Sequence, residues 1–263
     1  VVGGMLLWSV GVSTPKPKIA LVTSGEGPYW DLVIAGAREA AAQYDVSLDV
    51  VKSKTDSDTQ IENIRTAMAA KKYDGVAVSP INPIAESAVL ADVASKSTLV
   101  TIDSDSPLSA RLCFVGTDNY AAGRLCGDQE RRALPEGGEV ILCIGNPDKD
   151  NTQRRRQGVI DELLERNYEP DHPMDAIDAP LKGPQFTVTA TLVDGSDPAR
   201  TTEGVAAAVK ANPNIKCVVG LLGYSTPAVL KALQETGKLG QIKVVGFDNA
   251  DETLAGIEAG HVY

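Results

Sequence analysis

The fold is decided by the stretch Lys18-Ile19-Ala20-Leu21-Val22, by the turn Ser24-Gly25-Glu26-Gly27, and by the residues Pro28-Tyr29-Trp30 that follow. The four consecutive apolar residues are typical of a strand buried on both faces, as in parallel sheets. The glycines supply the backbone freedom of a tight turn, and Pro28 suits the first position of a helix, where its missing N–H costs nothing. The stretch therefore predicts a strand, a turn and a helix, which form the first half of a βαβ unit.

The glycine turn does not have the features of a phosphate-binding loop. Pro28 removes a backbone donor and Glu26 adds a negative charge, and neither GxGxxG nor a GK[ST] ending is present. The turn instead places Tyr29 and Trp30 at the carboxyl end of a strand, where open α/β sheets bind ligands. Aromatic faces suit a flat, partly apolar ligand such as a sugar ring. We expect at least one of the two rings simply to cap the core.

Length and charge narrow the class of protein. At 263 residues the chain is long enough for two domains, because single cores rarely grow much beyond about 250 residues. The net charge of −10 argues against nucleic acid or an anionic membrane as the partner. Residues 1–12 are apolar and uncharged, too few to span a bilayer. They resemble the tail of a secretory signal, with a plain N-terminal strand as the alternative.

The four cysteines are Cys113, Cys126, Cys143 and Cys217, and no two of them share a metal-ligand spacing. Only two histidines accompany them, so we predict neither a metal site nor a cofactor. Most of these cysteines lie in apolar runs, and buried, inert thiols are the interpretation for all four. A Cys113–Cys126 disulfide stays open as an alternative in an oxidising compartment.

Alternating strands and helices occur in two successive series, with a break near Gly116-Thr117-Asp118. Two such series imply two parallel-sheet domains. We predict a leader over 1–15, an N-terminal lobe over 16–117 and a C-terminal lobe over 118–263. Residues 168–186 contain four prolines and are predicted to form an irregular surface excursion. The chain stops at Tyr263, at the start of what resembles another strand, which we interpret as truncation.

Two aspartates directly follow apolar strands, at the edge where side chains converge on the crevice. Asp103 follows Thr101-Ile102, and Asp248 follows Val244-Val245-Gly246-Phe247. A carboxylate at such a place is costly unless it is paired or hydrogen-bonded, and two ligand hydroxyls would satisfy it. We interpret Asp103 as a ligand-binding residue. For Asp248, ligand binding and capping of the next helix both stay open.

Three arginines, Arg154, Arg155 and Arg156, lie in the first turns of a helix that Asn151 could cap. Cations at a helix N-terminus oppose the helix dipole. We therefore expect one of them to point into the cleft as a fork for hydroxyls or a carboxylate, and the others to be solvated. The alternative is a surface run balanced by neighbouring aspartates. No nucleophile elbow and no HExxH motif is present, so we predict no enzyme activity.

With these residues in place, the chain resembles the ribose-binding branch of periplasmic sugar-binding proteins, the solute receptors of ABC importers. The resemblance covers residues 18–263. It rests on Lys18–Val22, Gly27-Pro28-Tyr29-Trp30, Asp103, Gly116-Thr117-Asp118-Asn119, Arg155 before Gln157-Gly158, and Val244–Asp248. It implies two Rossmann-like lobes with parallel sheets, joined by a three-strand hinge and closing on one sugar. It also implies stacking by Tyr29 and Trp30 and hydroxyl contacts from Asp103, Arg155 and Asp248.

The chain departs from ribose binders at three ligand contacts. Gly27 and Leu222 each stand where ribose binders have Asn, and Ser104 stands where they have Arg. We therefore predict that ribose is not the preferred ligand. The family's last sheet strand, two further hinge crossings and a final glutamine contact would lie beyond Tyr263.

The prediction is an α/β solute-binding protein, exported to the periplasm and monomeric, that closes on a monosaccharide or related polyol and serves a membrane permease. One alternative is the effector domain of a lactose-repressor-type regulator, which would need a helix-turn-helix before Lys18. Another is a sensory receptor for a sugar-like signal such as a furanosyl autoinducer. An enzyme on a doubly wound sheet is disfavoured by the missing phosphate loop and catalytic set. The predicted ligand-binding residues are Tyr29, Trp30, Asp103, Ser104, Arg155, Leu222 and Asp248.

Overall fold

Two β-sheets flanked by helices make up the protein in the computed structural model, as the α/β prediction requires. The structure describes residues 15–169 and 172–263. All but the last residue of the leader predicted over 1–15 therefore lies outside the described residues.

The first sheet has five parallel strands and three helices. The strands are β1 (Lys18–Val22), β2 (Ser47–Val51), β3 (Gly75–Val78), β4 (Thr98–Ile102) and β5 (Cys113–Val115). The helices are α1 (Pro28–Gln43), α2 (Ser57–Ala70) and α3 (Ser87–Lys96). The strand order is β2-β1-β3-β4-β5, so the winding reverses between β1 and β3. An open α/β sheet binds its ligand outside the carboxyl ends of the strands at such a point.

The second sheet repeats this plan. Its strands are β6 (Gly138–Ile144), β7 (Leu181–Lys182), β8 (Phe186–Val193), β9 (Ile215–Gly220) and β10 (Lys243–Val245). Its helices are α4 (Asn119–Ala133), α5 (Asp150–Leu163), α6 (Pro198–Ala211), α7 (Ser225–Glu235) and α8 (Asp251–Glu258). The order is β10-β9-β6-β8-β7, with β7 antiparallel to β8, and the winding reverses between β6 and β9.

The central strands are buried on both faces. Along β6, Val140 and Leu142 pack into one apolar cluster, and Ile141 and Cys143 pack into the cluster on the opposite face. This explains why the strand sequences are continuously apolar rather than alternating. In the first sheet the cluster around β1 and β3 includes Ile64 of α2.

Asp56 caps α2, since its carboxylate accepts a hydrogen bond of 2.8 Å from the Thr59 N–H. The structure also decides two local predictions made from the sequence. The helix predicted to begin after Asn151 begins earlier, with Lys149 at the N-cap position, so the Asn151 cap is wrong. The proline-rich excursion is largely irregular, as predicted, but it includes the short strand β7.

The cysteines differ from the prediction at one position. Cys126, Cys143 and Cys217 are buried, as expected, but Cys113 is exposed, because β5 is the edge strand of its sheet. Cys113 and Cys126 are both free thiols, so the alternative of a disulfide between them is not realised.

Candidate functional site

The candidate site lies where the carboxyl edges of the two sheets face each other. Ser24 follows β1 and Asp103 follows β4, while Lys149 follows β6 at the edge of the second sheet. Lys149 Nζ donates a hydrogen bond of 2.7 Å to Ser24 Oγ, which joins the two edges directly. The winding of each sheet reverses at this place, as in the ligand sites of doubly wound proteins.

Asp103 is the acceptor on which the first sheet's polar groups converge. Its Oδ1 accepts a hydrogen bond of 2.9 Å from the Tyr29 hydroxyl, and its Oδ2 accepts one of 2.9 Å from Ser79 Oγ. Lys149 Nζ lies 3.4 Å from Oδ2. The backbone of Asp103 has a φ of 59°, in the left-handed region that costs an ordinary side chain energy. Strain of this kind concentrates at functional sites, which supports the interpretation of Asp103 as a binding residue.

The two neighbouring aromatic residues have different places. Tyr29 is 51% exposed, whereas Trp30 is 7% exposed and packs in the core against Gly25. Their rings meet edge to face, with centroids 5.2 Å apart. Burial of its inner end, together with the Asp103 carboxylate, raises the pKa of Tyr29 well above its usual range. The expectation that at least one ring caps the core is confirmed by Trp30, and Tyr29 is the ring that borders the cleft.

Hydrogen bonds to residues in the second half of the chain fix the guanidinium of Arg155. Its Nε and Nη2 donate hydrogen bonds of 3.1 and 2.7 Å to Asn119 Oδ1, and Nη1 donates one of 2.8 Å to the Leu221 carbonyl. The guanidinium lies 3.8 Å from the centre of the Phe247 ring. Burial lowers the pKa of Arg155, and the Asp248 and Asp103 carboxylates oppose that effect. Within the described part of the chain, two of the five N–H donors of Arg155 have no hydrogen-bond partner.

Close packing of α4 against α5 brings Asn119 to Arg155. A side chain at Gly123 would collide with the Arg155 carbonyl, and one at Gly158 would collide with the Tyr120 carbonyl. Since only glycine allows this approach, the start of α4 lies directly beside the first turns of α5. Gly158, three residues after Arg155, thus has a steric role in placing the arginine.

The other two arginines point elsewhere. Arg154 pairs with Asp150 at 2.9 Å near the surface. Arg156, in contrast, is buried and donates to Thr191 Oγ1 at 2.9 Å and to the carbonyls of Asp175 and Ala176 at 2.7 Å each. The expectation that both neighbours of Arg155 are solvated is therefore wrong for Arg156. Its buried position follows from the excursion folding over α5, which the sequence pattern does not reveal.

Asp248 lies in the cleft beside Arg155 and is not a helix cap. The N-cap position of α8 is occupied by Ala250, which removes the capping alternative for Asp248. Its backbone has a φ of 64°, like that of Asp103. Partial desolvation and the Asp103 charge raise the pKa of the Asp248 carboxyl, although Arg155 opposes them. Solvent still reaches the side chain.

The two remaining predicted residues border the site less directly. Ser104 is fully buried, and its Oγ lies 3.5 Å from the backbone N of Asn151. Leu222 is half-buried at the end of β9 and faces Gly145, where a Cβ would lie 2.9 Å from the leucine Cδ1. The structure therefore brings Tyr29, Asp103, Arg155 and Asp248 close enough for their charges to affect one another. Ser104 is buried next to Asp103, and Leu222 lies at the edge of the second sheet.

Sequence reasoning missed five polar residues of the site. They are Ser24, Ser79, Asn119, Lys149 and Asn151. Ser24 and Ser79 directly follow the carboxyl ends of β1 and β3, and this placement was the signal that could have found them. Lys149 and Asn151 lie further from the end of β6, and their contacts with the first sheet are not visible in the sequence. Asn119 acts by holding Arg155, and in the sequence only the Gly116-Thr117-Asp118-Asn119 motif of the resemblance marks it.

The combination of groups suits a neutral, hydroxyl-rich ligand. Carboxylates accept hydrogen bonds from hydroxyls, a guanidinium donates to them, and an exposed tyrosine ring can cover the apolar face of a sugar. In residues 15–169 and 172–263 no three His, Cys, Asp or Glu side chains are arranged to hold a metal ion. No helix in the same ranges is long and apolar enough to cross a membrane.

Comparison with known proteins agrees with this chemistry. Residues 19–263 match the family of the periplasmic binding protein domain. The D-allose-binding periplasmic protein of Escherichia coli is 24% identical, over 98% of this chain and 81% of that protein. A D-ribose/D-allose-binding protein of Pseudomonas aeruginosa is 25% identical, over 97% of this chain and 78% of that protein. A Burkholderia graminis ABC transporter solute-binding protein in complex with D-arabinose is 27% identical, with a TM-score of 0.82, covering 94% of this chain and 81% of that one.

Proposed function

Because the chain belongs to the periplasmic binding protein family, we propose that it is the sugar receptor of an ABC importer, binding a monosaccharide or related polyol without turning it over. The observation that carries this proposal is the convergence of Tyr29, Asp103, Arg155 and Asp248 at one cleft. The sugars named for its relatives, D-allose, D-ribose and D-arabinose, support a sugar as the ligand.

The proposed mechanism is closure of two lobes, 16–117 and 118–263, around the ligand. Tyr29 and Asp103 belong to the first and Arg155 and Asp248 to the second, so a ligand between them contacts both. Such a ligand binds the closed arrangement more tightly than the open one and shifts the population toward it. The closed receptor, exported to the periplasm as a monomer, would then dock on its membrane permease.

We propose that the preferred ligand is not ribose. The replacement of ribose-binder contacts by Leu222 and Ser104 removes hydrogen-bonding groups from the site. A site that lacks these groups favours a ligand with fewer or differently placed hydroxyls.

The function is tested by thermal unfolding with pentoses, hexoses and alditols, followed by calorimetry on every compound that stabilises the protein. A ligand at one hundred times its Kd adds about 2.7 kcal/mol, which corresponds to a rise in Tm of roughly 5–10 °C for a chain of this size. Arg154→Ala is a matched control, since Arg154 pairs with Asp150 and contacts none of the predicted ligand-binding residues. If no compound shifts the Tm, the proposed function is wrong. If ribose binds most tightly, only the ligand preference is wrong.

A further inference from the structure

Lys149 reaches from the second half of the chain to the first. Its ammonium donates to Ser24 Oγ at 2.7 Å and lies 3.4 Å from Asp103 Oδ2. Both charged side chains are largely buried, with 16% of the lysine and 17% of the aspartate exposed. An ammonium group is strongly hydrated, so it occupies such a place only where protein groups replace its water.

The position of Lys149 is unfavourable for the helix that it precedes. Lys149 occupies the N-cap of α5 and, like every lysine, has no side-chain acceptor for the first free N–H groups. Ser, Thr, Asp or Asn would stabilise the helix there, and a positive charge near a helix N-terminus opposes the dipole. Helix formation therefore does not explain the residue, whereas its partners across the cleft do.

Residues near Lys149 add further contacts between the edges of the two sheets. Asn151 Nδ2 lies 3.5 Å from Asp103 Oδ2, and the Asn151 backbone N lies 3.5 Å from Ser104 Oγ. Behind the junction, the buried Glu86 carboxylate accepts the backbone N–H groups of Ile81 and Asn82 and also feels the Lys149 charge. The contacts of Asn151 with Asp103 and Ser104 form only when the edges of the two sheets lie together.

We propose that Lys149 is a positioning residue that stabilises the closed arrangement of the two lobes and orients Asp103 for the ligand. The ligand part of this inference rests on the proposed function. Asp103 has about four acceptor sites, two on each oxygen. Ser79, Lys149 and Asn151 all approach Oδ2, whereas among the described residues Oδ1 accepts only from Tyr29. Lys149 thus helps to fix the carboxylate through Oδ2, and Oδ1 keeps one site for a ligand hydroxyl. Because it acts on closure, its effect should be the same for every sugar that binds.

The test compares Lys149→Met and Lys149→Arg with Lys210→Met, an exposed lysine on α6 outside the cleft. Calorimetry measures the Kd for each sugar that the wild-type protein binds. We expect Lys149→Met to weaken binding roughly ten-fold, the scale of a charge-assisted hydrogen bond. The factor should be equal across sugars, with Lys149→Arg retaining most of the affinity and Lys210→Met unchanged. Small-angle X-ray scattering without ligand should give a larger radius of gyration for Lys149→Met.

Each result decides the inference. Unchanged affinity in Lys149→Met overturns it, and tighter binding also overturns it, because Lys149 would then compete with the ligand for Asp103. If the wild-type protein binds no sugar, the proposed function fails, but scattering still tests Lys149, and equal radii of gyration would overturn the inference. Thermal unfolding of each variant verifies that the fold is intact.

Discussion

Replacing Arg155 with Ala should weaken ligand binding and also destabilise the protein. The guanidinium makes three hydrogen bonds to Asn119 Oδ1 and the Leu221 carbonyl, and Asn119 is itself buried. A buried acceptor that loses its donor costs about 1–3 kcal/mol. Relief of the unfavourable helix dipole returns only about 0.3–1 kcal/mol. Because two buried acceptors, Asn119 Oδ1 and the Leu221 carbonyl, lose their donor, the free energy of unfolding should fall by about 1–6 kcal/mol. This result is the reverse of the one expected from the dipole alone.

Binding should fall by about 1.5–3 kcal/mol, as for the loss of a charge-assisted donor. The measurements are urea unfolding and calorimetry with the sugar that the wild-type protein prefers. Arg154→Ala should leave affinity within a few tenths of a kcal/mol, because Arg154 bonds to Asp150 and to none of the predicted ligand-binding residues. It should lower stability by about 1–3 kcal/mol, because the Asp150 side chain, only 13% exposed, loses its partner. Arg156→Ala should lower stability by at least about 2 kcal/mol, because the buried guanidinium loses its hydrogen bonds to Thr191 and the Asp175 carbonyl. Affinity should be unchanged, because neither partner is a predicted ligand-binding residue. Equal small losses in all three variants would refute the assignment of Arg155 to the site.

Three further changes test other parts of the molecule. Tyr29→Phe keeps the ring but loses the hydroxyl that donates to Asp103, so calorimetry should show a loss of about 1 kcal/mol, and Tyr29→Ala should lose more. Leu222→Asn should strengthen ribose binding by about 1 kcal/mol, and an unchanged ribose Kd would place Leu222 outside the site. Glu130 is fully buried with no hydrogen-bond partner among the described residues, and burial raises its pKa from 4.5 to about 8. Because the folded state holds this proton and the unfolded chain releases it, stability should fall as pH rises from 4.5 toward 8, by about 1.4 kcal/mol per unit at most. Glu130→Gln should reduce this slope in urea unfolding and leave the contribution of Glu86, whose pKa burial raises to about 7. An unaltered slope would mean that the folded Glu130 carboxyl ionises normally.

Much of the fold follows from patterns that the sequence displays locally. Continuous apolar runs such as Val140–Ile144 indicate strands buried on both faces, and strands alternating with helices indicate parallel sheets. The strand ends then locate Asp103 and Asp248, because side chains after parallel strands meet at one edge. These steps need only neighbouring residues, so they succeed without knowledge of tertiary contacts.

The site's remaining features depend on contacts between distant segments. Arg156 is buried because the excursion near Asp175 covers it, and Asn119 matters because glycines let α4 approach α5. Lys149 resembles a surface residue in a loop, and only the facing edge of the first sheet shows its partners. The capping interpretation of Asn151 failed for a related reason: its side chain lies 3.5 Å from Asp103, across the cleft.

The two sheets also present their site residues at equivalent places, which explains why the cleft combines donors and acceptors from both. The order β2-β1-β3-β4 of the first sheet corresponds to β8-β6-β9-β10 of the second. Asp103 follows β4 and Asp248 follows β10, and both aspartates have left-handed backbones, with φ of 59° and 64°.

Glycine would adopt this conformation without the cost that an ordinary side chain incurs. The carboxylate is therefore present at both strand ends despite the backbone strain, as expected where the side chain acts in binding. Tyr29 in α1 and Arg155 in α5 likewise lie on the helix that follows the first strand of each sheet. A ligand between them meets one carboxylate from each sheet, with an aromatic ring on one side and a cation on the other. We therefore expect closure of the two proposed lobes to complete the site.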